Sequence, residues 1–82
     1  MSYYVYMLKA TGPRKVTYVG YTKNLSKRLK LHNQGKGAKF TRGRQWKLIY
    51  KELFKSKNKA ISREYYIKNN RTIRNKIKNL YQ

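Results

Sequence analysis

The stretch YYVYMLKATGPRKVTYVGYT, residues 3–22, decides the fold. Its first part, Tyr3 to Leu8, is aromatic and β-branched and holds no breaker, as a strand requires. Thr11, Gly12 and Pro13 supply a turn, and Val16 to Tyr21 reads as a second strand, so the segment predicts a β-hairpin. Tyr6 and Tyr18 are equidistant from Gly12. A symmetric hairpin therefore sets them opposite each other with both phenols on one face. A register slip of one residue would send them to opposite faces.

Beyond the hairpin, Asn24 to Gln34 predicts a helix, capped at its start by Thr22 or Asn24 and ended by Gly35. Leu25 and Leu29 are one turn apart and should face the sheet. Arg28 and His32 share that spacing and should border the same apolar stripe. Residues 35–45, GKGAKFTRGRQ, form a Gly-rich basic loop. Its Lys36, Lys39, Arg42 and Arg44 would track a nucleic-acid backbone, and its glycines would let main chain approach phosphates. Trp46 to Phe54 reads as a third strand. Ser56 caps a helix running to about Asn69, and Asn69 and Asn70 break it before a last amphipathic helix carrying Ile73, Ile77 and Leu80. The outcome is a single α+β domain over residues 1–82, of order ββαβαα, with a three-stranded antiparallel sheet flanked by helices.

Charge narrows the function. Twenty-two Lys and Arg stand against two acids, a formal charge of +20 in 82 residues. Such a field attracts polyanions, and nucleic acid is the obvious one. A membrane surface or a polyphosphate would satisfy the same electrostatics. With no cysteine, a thiol nucleophile, a disulfide framework and a cysteine zinc site are all excluded. The start MSYYVYML lacks the pattern of a secretory signal, and no apolar run approaches the roughly 20 residues a membrane span requires. A cytoplasmic monomer with no membrane partner is the expectation.

The two acids are Glu52 and Glu64, and there is no aspartate. A two-metal site needs several carboxylates, and paired-carboxylate catalysis needs two adjacent ones. One ion on one carboxylate, its shell completed by water and substrate phosphate, is the limit here and suits Mg²⁺. Glu52, in a strand beside Lys51, reads as a solvated partner of lysines. Glu64 falls one turn after Ala60, on the side of its helix that should face the sheet. An inward carboxylate needs a cation, and Lys68 or an arginine would serve as well as a metal. His32 alone is more often a satisfied helix residue than a catalyst.

Together these residues make a pattern. Tyr4-Val5-Tyr6 followed by Tyr18-Val19-Gly20 resembles the paired tripeptides of the GIY-YIG nuclease superfamily. The run from Tyr18 through Arg28 to His32 is similar to that family's second motif and first helix, and Arg63-Glu64 falls at the place of its metal-binding glutamate. The likeness spans the whole chain and is nearest to the small stand-alone bacterial members. It departs in reading Tyr-Val-Tyr for Gly-Ile-Tyr, which keeps Tyr6, and its late asparagine has no secure counterpart, although Asn75 lies in the right region.

The resemblance implies metal-dependent hydrolysis of phosphodiester bonds, with DNA the first candidate substrate and RNA the second. It implies Mg²⁺, or Mn²⁺ in its place, on Glu64, and Arg28 on the charge growing at phosphorus. It implies a tyrosine as general base: Tyr18, with Tyr6 as its hydrogen-bond partner. His32 would accept a phenol proton or contact the phosphate, and Gly20 would allow close approach of the strand end. A phenol of pKa near 10 is only about 0.1% ionised at neutral pH, and the many cations should lower that pKa. The alternatives are a basic DNA- or RNA-binding module, on RNA or the ribosome, that keeps the fold without the chemistry, and a structural protein folded onto an acidic surface.

Overall fold

A computed structural model of the protein describes residues 2–13 and 16–80. The hairpin forms as β1 (Tyr3–Ala10) and β2 (Thr17–Thr22). It is followed by α1 (Leu25–Asn33), a 3-10 turn over Lys39–Thr41, β3 (Trp46–Phe54), α2 (Lys57–Lys68) and α3 (Arg71–Leu80). The strands are antiparallel in the order β2-β1-β3. The expected order ββαβαα holds, and the 3-10 turn inside the basic loop is the addition.

Local chemistry starts each helix. The Asn24 side chain accepts the Lys27 N–H at 3.1 Å, Ser56 accepts that of Lys59 at 3.4 Å, and Asn70 accepts that of Ile73 at 3.1 Å. Each satisfies a donor that the first helical turn leaves open. Gly35 follows the end of α1 with a φ of +77°, where a glycine carries no steric penalty. Asn33, the last residue of α1, accepts the Trp46 N–H at 2.5 Å and donates to its carbonyl at 3.2 Å. That pair of bonds ties the helix end to the start of β3.

β1 is the central strand and is buried on both faces. Val5 and Met7 point to one side, where Val19 and Ile49 join Ala60 and Ile67 of α2 and Ile77 of α3. Tyr6, Leu8 and Ala10 point to the other, packed with Trp46 and with Leu25 and Leu29 of α1 as expected. Each fully buried Val, Leu, Ile or Met side chain among them contributes about 1.5–3 kcal/mol. Leu80 does not join the core: it is 80% exposed at the last position of α3, past Ile77, the last buried residue of that helix.

The hairpin register is not the symmetric one. Tyr6 lies opposite Gly20, and Tyr18 opposite Leu8, so the pairing is centred one residue beyond Gly12 and partners shift by two. Side chains alternate with a period of two, so an even shift preserves the faces. Tyr6 and Tyr18 therefore still share a face, as a diagonal pair. Among the described residues no helix is long and apolar enough to cross a membrane.

Candidate active site

The face carrying Tyr6 and Tyr18 opens into a cleft of about 480 Å³. The hairpin supplies Tyr6, Tyr18 and Gly20, α1 supplies Arg28 from its second half-turn, and α2 supplies Glu64. Gly20 is needed there for space. A Cβ at this position would lie 2.6 Å from the Tyr6 hydroxyl and 3.1 Å from the Tyr18 ring. The strand thus approaches both phenols more closely than any side chain would allow.

His32 lies behind the cleft, where it is fully buried. Its Nε2 is 2.8 Å from the Tyr6 hydroxyl and its Nδ1 is 2.9 Å from the Thr41 hydroxyl. The rest of the network fixes the direction of these bonds. The Thr41 hydroxyl donates to the Ala38 carbonyl at 2.9 Å and accepts the Ala38 N–H at 3.2 Å. With its one hydrogen committed, it accepts from His32, which therefore carries its proton on Nδ1. Nε2 is then an acceptor, and the Tyr6 hydroxyl donates to it. The reverse assignment would leave the Tyr6 hydrogen without an acceptor among the described residues. Thr41 is itself fully buried, and its carbonyl accepts the Trp46 Nε1–H at 3.0 Å. The 3-10 turn of the basic loop is thus the wall that orients the imidazole. Gly37 serves this packing, because a Cβ there would land on the His32 ring.

Burial sets the protonation of both rings. It pushes the Tyr6 phenol above the usual range, helped by nearby Tyr18 and Glu64 and opposed by Arg28. Burial, then Arg28, holds the His32 imidazole below its usual value. Both groups are kept neutral, in keeping with the bond directions. The expectation that surrounding cations would lower the phenol pKa is corrected for Tyr6, where desolvation outweighs the guanidinium. Its hydrogen goes to His32, so Tyr6 does not donate to Tyr18.

Tyr18 is half-buried. Its ring centroid lies 5.0 Å from that of His32 and 6.4 Å from that of Tyr6, and Lys68 Nζ sits 5.9 Å from it. Glu64, 17% exposed at its side chain, pairs with Lys68 at 3.5 Å, so the inward carboxylate has one of the cations foreseen for it. Glu52 pairs with Arg63 at 2.9 Å and not with lysines, because α2 lays Arg63 against β3. These two pairs engage both acids of the described residues, and Arg28, half-buried in the cleft, has no carboxylate partner among them. No group of three or more metal-ligating side chains occurs among the described residues. One carboxylate beside phenol oxygens is a donor set that fits a single hard cation retaining most of its water.

Tyr18 also forms a wall of a second cavity, of about 560 Å³, lined by Phe40, Lys68, Arg71, Arg74, Asn75 and Lys78 among others. The motif pattern of the family does not point to these cations. Their signal was present in Arg71, Arg74, Asn75 and Lys78, spaced as one stripe along α3. Asn75 belongs to this second cavity. Of the loop cations, Lys36, Lys39 and Arg42 are exposed and line neither cavity, while Arg44 sits with its Cζ 5.7 Å from the Phe40 ring centroid.

Residues 2–79 match the family model described as the GIY-YIG catalytic domain. A UPF0213 protein of Clostridium perfringens is 56% identical over 66 residues, 79% of this chain and 69% of that one. A UPF0213 protein of Bacillus licheniformis is 50% identical over 68 residues, 82% of this chain and 68% of that one. Among solved structures, the solution NMR structure of a UPF0213 protein from Bacillus halodurans is similar. Its TM-score is 0.56 at 38% identity, covering 98% of this chain and 85% of that one.

Proposed function

Because the chain belongs to the GIY-YIG family, which is of endonuclease type, we propose that it hydrolyses phosphodiester bonds in nucleic acid, with DNA as its first substrate. The observation that carries this reading is Arg28. A half-buried guanidinium with no carboxylate partner among the described residues shares a cleft with Tyr6, Tyr18 and Glu64, and the ligand that would complete it is an anion.

Each residue then has a defined task. Arg28 neutralises the charge that builds on the phosphorus oxygens during attack. Tyr18, the accessible phenol, is the general base that takes the proton of the attacking water. Tyr6 stays neutral and is held by His32, so it positions the site and shields the face of β1 behind it. Glu64 is the residue that would hold a divalent cation, Mg²⁺ or Mn²⁺. When bound, such an ion supplies charge neutralisation at the scissile phosphate and the leaving oxygen. The surrounding positive field raises the rate of encounter with any polyanion.

The test is incubation with labelled single-stranded, duplex and branched DNA and RNA, in Mg²⁺ or in EDTA. Metal-dependent products are the expected result, and intact substrates under every condition would overturn the proposal. One observation favours the alternative, a binding module without chemistry. The Lys68–Glu64 ion pair at 3.5 Å occupies a carboxylate oxygen that a metal would need. That reading predicts binding on every substrate and cleavage of none.

A further inference from the structure

The two cavities meet at Tyr18, and apart from that shared wall the residues of the second are not those assigned to proton transfer and charge neutralisation in the first. Its chemistry is a row of cations beside one aromatic ring. Phe40 is 51% exposed, although Trp46 and the core lie next to it. Its ring runs nearly parallel to that of Tyr18, at 23° with centroids 6.2 Å apart, and the Arg44 guanidinium lies over it, its Cζ 5.7 Å from the ring centroid. Arg71 is exposed, and Lys68, Arg74 and Lys78 line the same hollow. Arg74 donates to the main-chain carbonyls of Ile67 and Lys68, which fixes its position while its charge remains.

A strand of nucleic acid presents alternating flat bases and charged phosphates. A base inside a duplex has both faces covered by its neighbours and offers none to a protein ring. An unpaired base does, and stacking on an exposed aromatic beside a basic groove is how single strands are held without regard to sequence. We propose that Phe40 and the groove of Lys68, Arg71 and Lys78 hold an unpaired nucleotide next to the scissile phosphate, so that the substrate is single-stranded nucleic acid. The inference rests on Tyr18 marking the cleavage site. From there the Phe40 ring continues the path of the strand, and the α3 cations follow its backbone.

The experiment is fluorescence anisotropy in EDTA, with a labelled strand of roughly 20 nucleotides, longer than a small domain occupies, against its duplex at equal salt. The single strand is expected to bind about tenfold more tightly. Phe40→Leu, which keeps apolar bulk and removes the π face, is expected to erase most of that preference and leave duplex affinity unchanged. Phe40→Tyr is expected to restore it. Equal affinity for the two forms, or unchanged single-strand affinity in Phe40→Leu, would overturn the inference. No cleavage enters this readout, so its failure leaves the nuclease proposal standing. A strand preference without metal-dependent cleavage would remove the nuclease proposal and leave the surface.

Discussion

Tyr6 and Tyr18 share one face of one hairpin and live under opposite conditions. Tyr6 is 1% exposed, and its hydrogen bond begins a chain through His32 and Thr41 that ends on the Ala38 main chain. No buried side-chain nitrogen or oxygen among the described residues lacks a partner. Tyr18 is half-exposed on the wall between two cavities. Near it stands Arg28, a cation with no carboxylate of its own among the described residues. The buried half is complete and behaves as scaffold, since a fully satisfied network resists rearrangement. The open half is incomplete, and what completes it comes from outside the chain.

Substitutions should separate the halves, and the largest effects belong to the open one. Arg28→Ala is expected to cut the cleavage rate about 10²–10³-fold and to change stability by roughly 0.5 kcal/mol or less. Single-turnover kinetics beside urea titration reads both numbers. Unfolding in place of inactivity would move Arg28 to the scaffold. Gly20→Ala should act through the buried half, because its new Cβ meets the hydroxyl end of the buried Tyr6 ring, which is held by its bond to His32. An overpacking cost of about 1–3 kcal/mol is expected in urea unfolding, and an unchanged midpoint would show that the scaffold yields easily.

Thr41→Val keeps shape and removes the hydroxyl that receives the His32 and Ala38 protons. Its cost should be about 1–2 kcal/mol, with a fall in activity in proportion to the displaced imidazole. A neutral result would mean that His32 is held by packing alone. The smallest effect is on pH. Above about pH 6.5 the imidazole is neutral in folded and unfolded chains alike, and its buried contacts contribute in full. Below that value the unfolded chain takes up a proton that the buried ring resists, because its folded pKa is lowered. Stability is therefore lost as pH falls toward the folded value. The melting temperature should drop between about pH 7 and pH 5, and less so in His32→Gln. Equal slopes in the two proteins would place the acid sensitivity elsewhere.

Much of this arrangement could be read from residues close in sequence. The strands carry their own composition, and Asn24 and Ser56 announce the helices they cap. The paired tripeptides and the spacing of Arg28 and His32 marked the family. What failed depended on contacts between distant segments. The hairpin register moved by two because the turn residues do not encode which pairing the core prefers. Nothing in α1 reveals that Thr41, nine residues on, folds back over His32 and closes it off from solvent. Lysines are the neighbours of Glu52 in sequence, and Arg63, eleven residues away, is brought to it only when α2 packs on β3. The α3 cations were visible as a stripe, but the cavity they line with Tyr18 exists only once the helix docks.

The most direct test of the division between the halves sets Tyr18→Phe beside Tyr6→Phe, with metal-dependent single-turnover cleavage and urea unfolding measured on both. Tyr18→Phe should lose about 10²-fold or more in rate with stability kept. Tyr6→Phe strands the His32 acceptor and should lose about 1–3 kcal/mol of stability while retaining the greater part of its activity when folded. The opposite order, an active Tyr18→Phe and a stable but inactive Tyr6→Phe, would contradict the account and move the general base to the buried phenol.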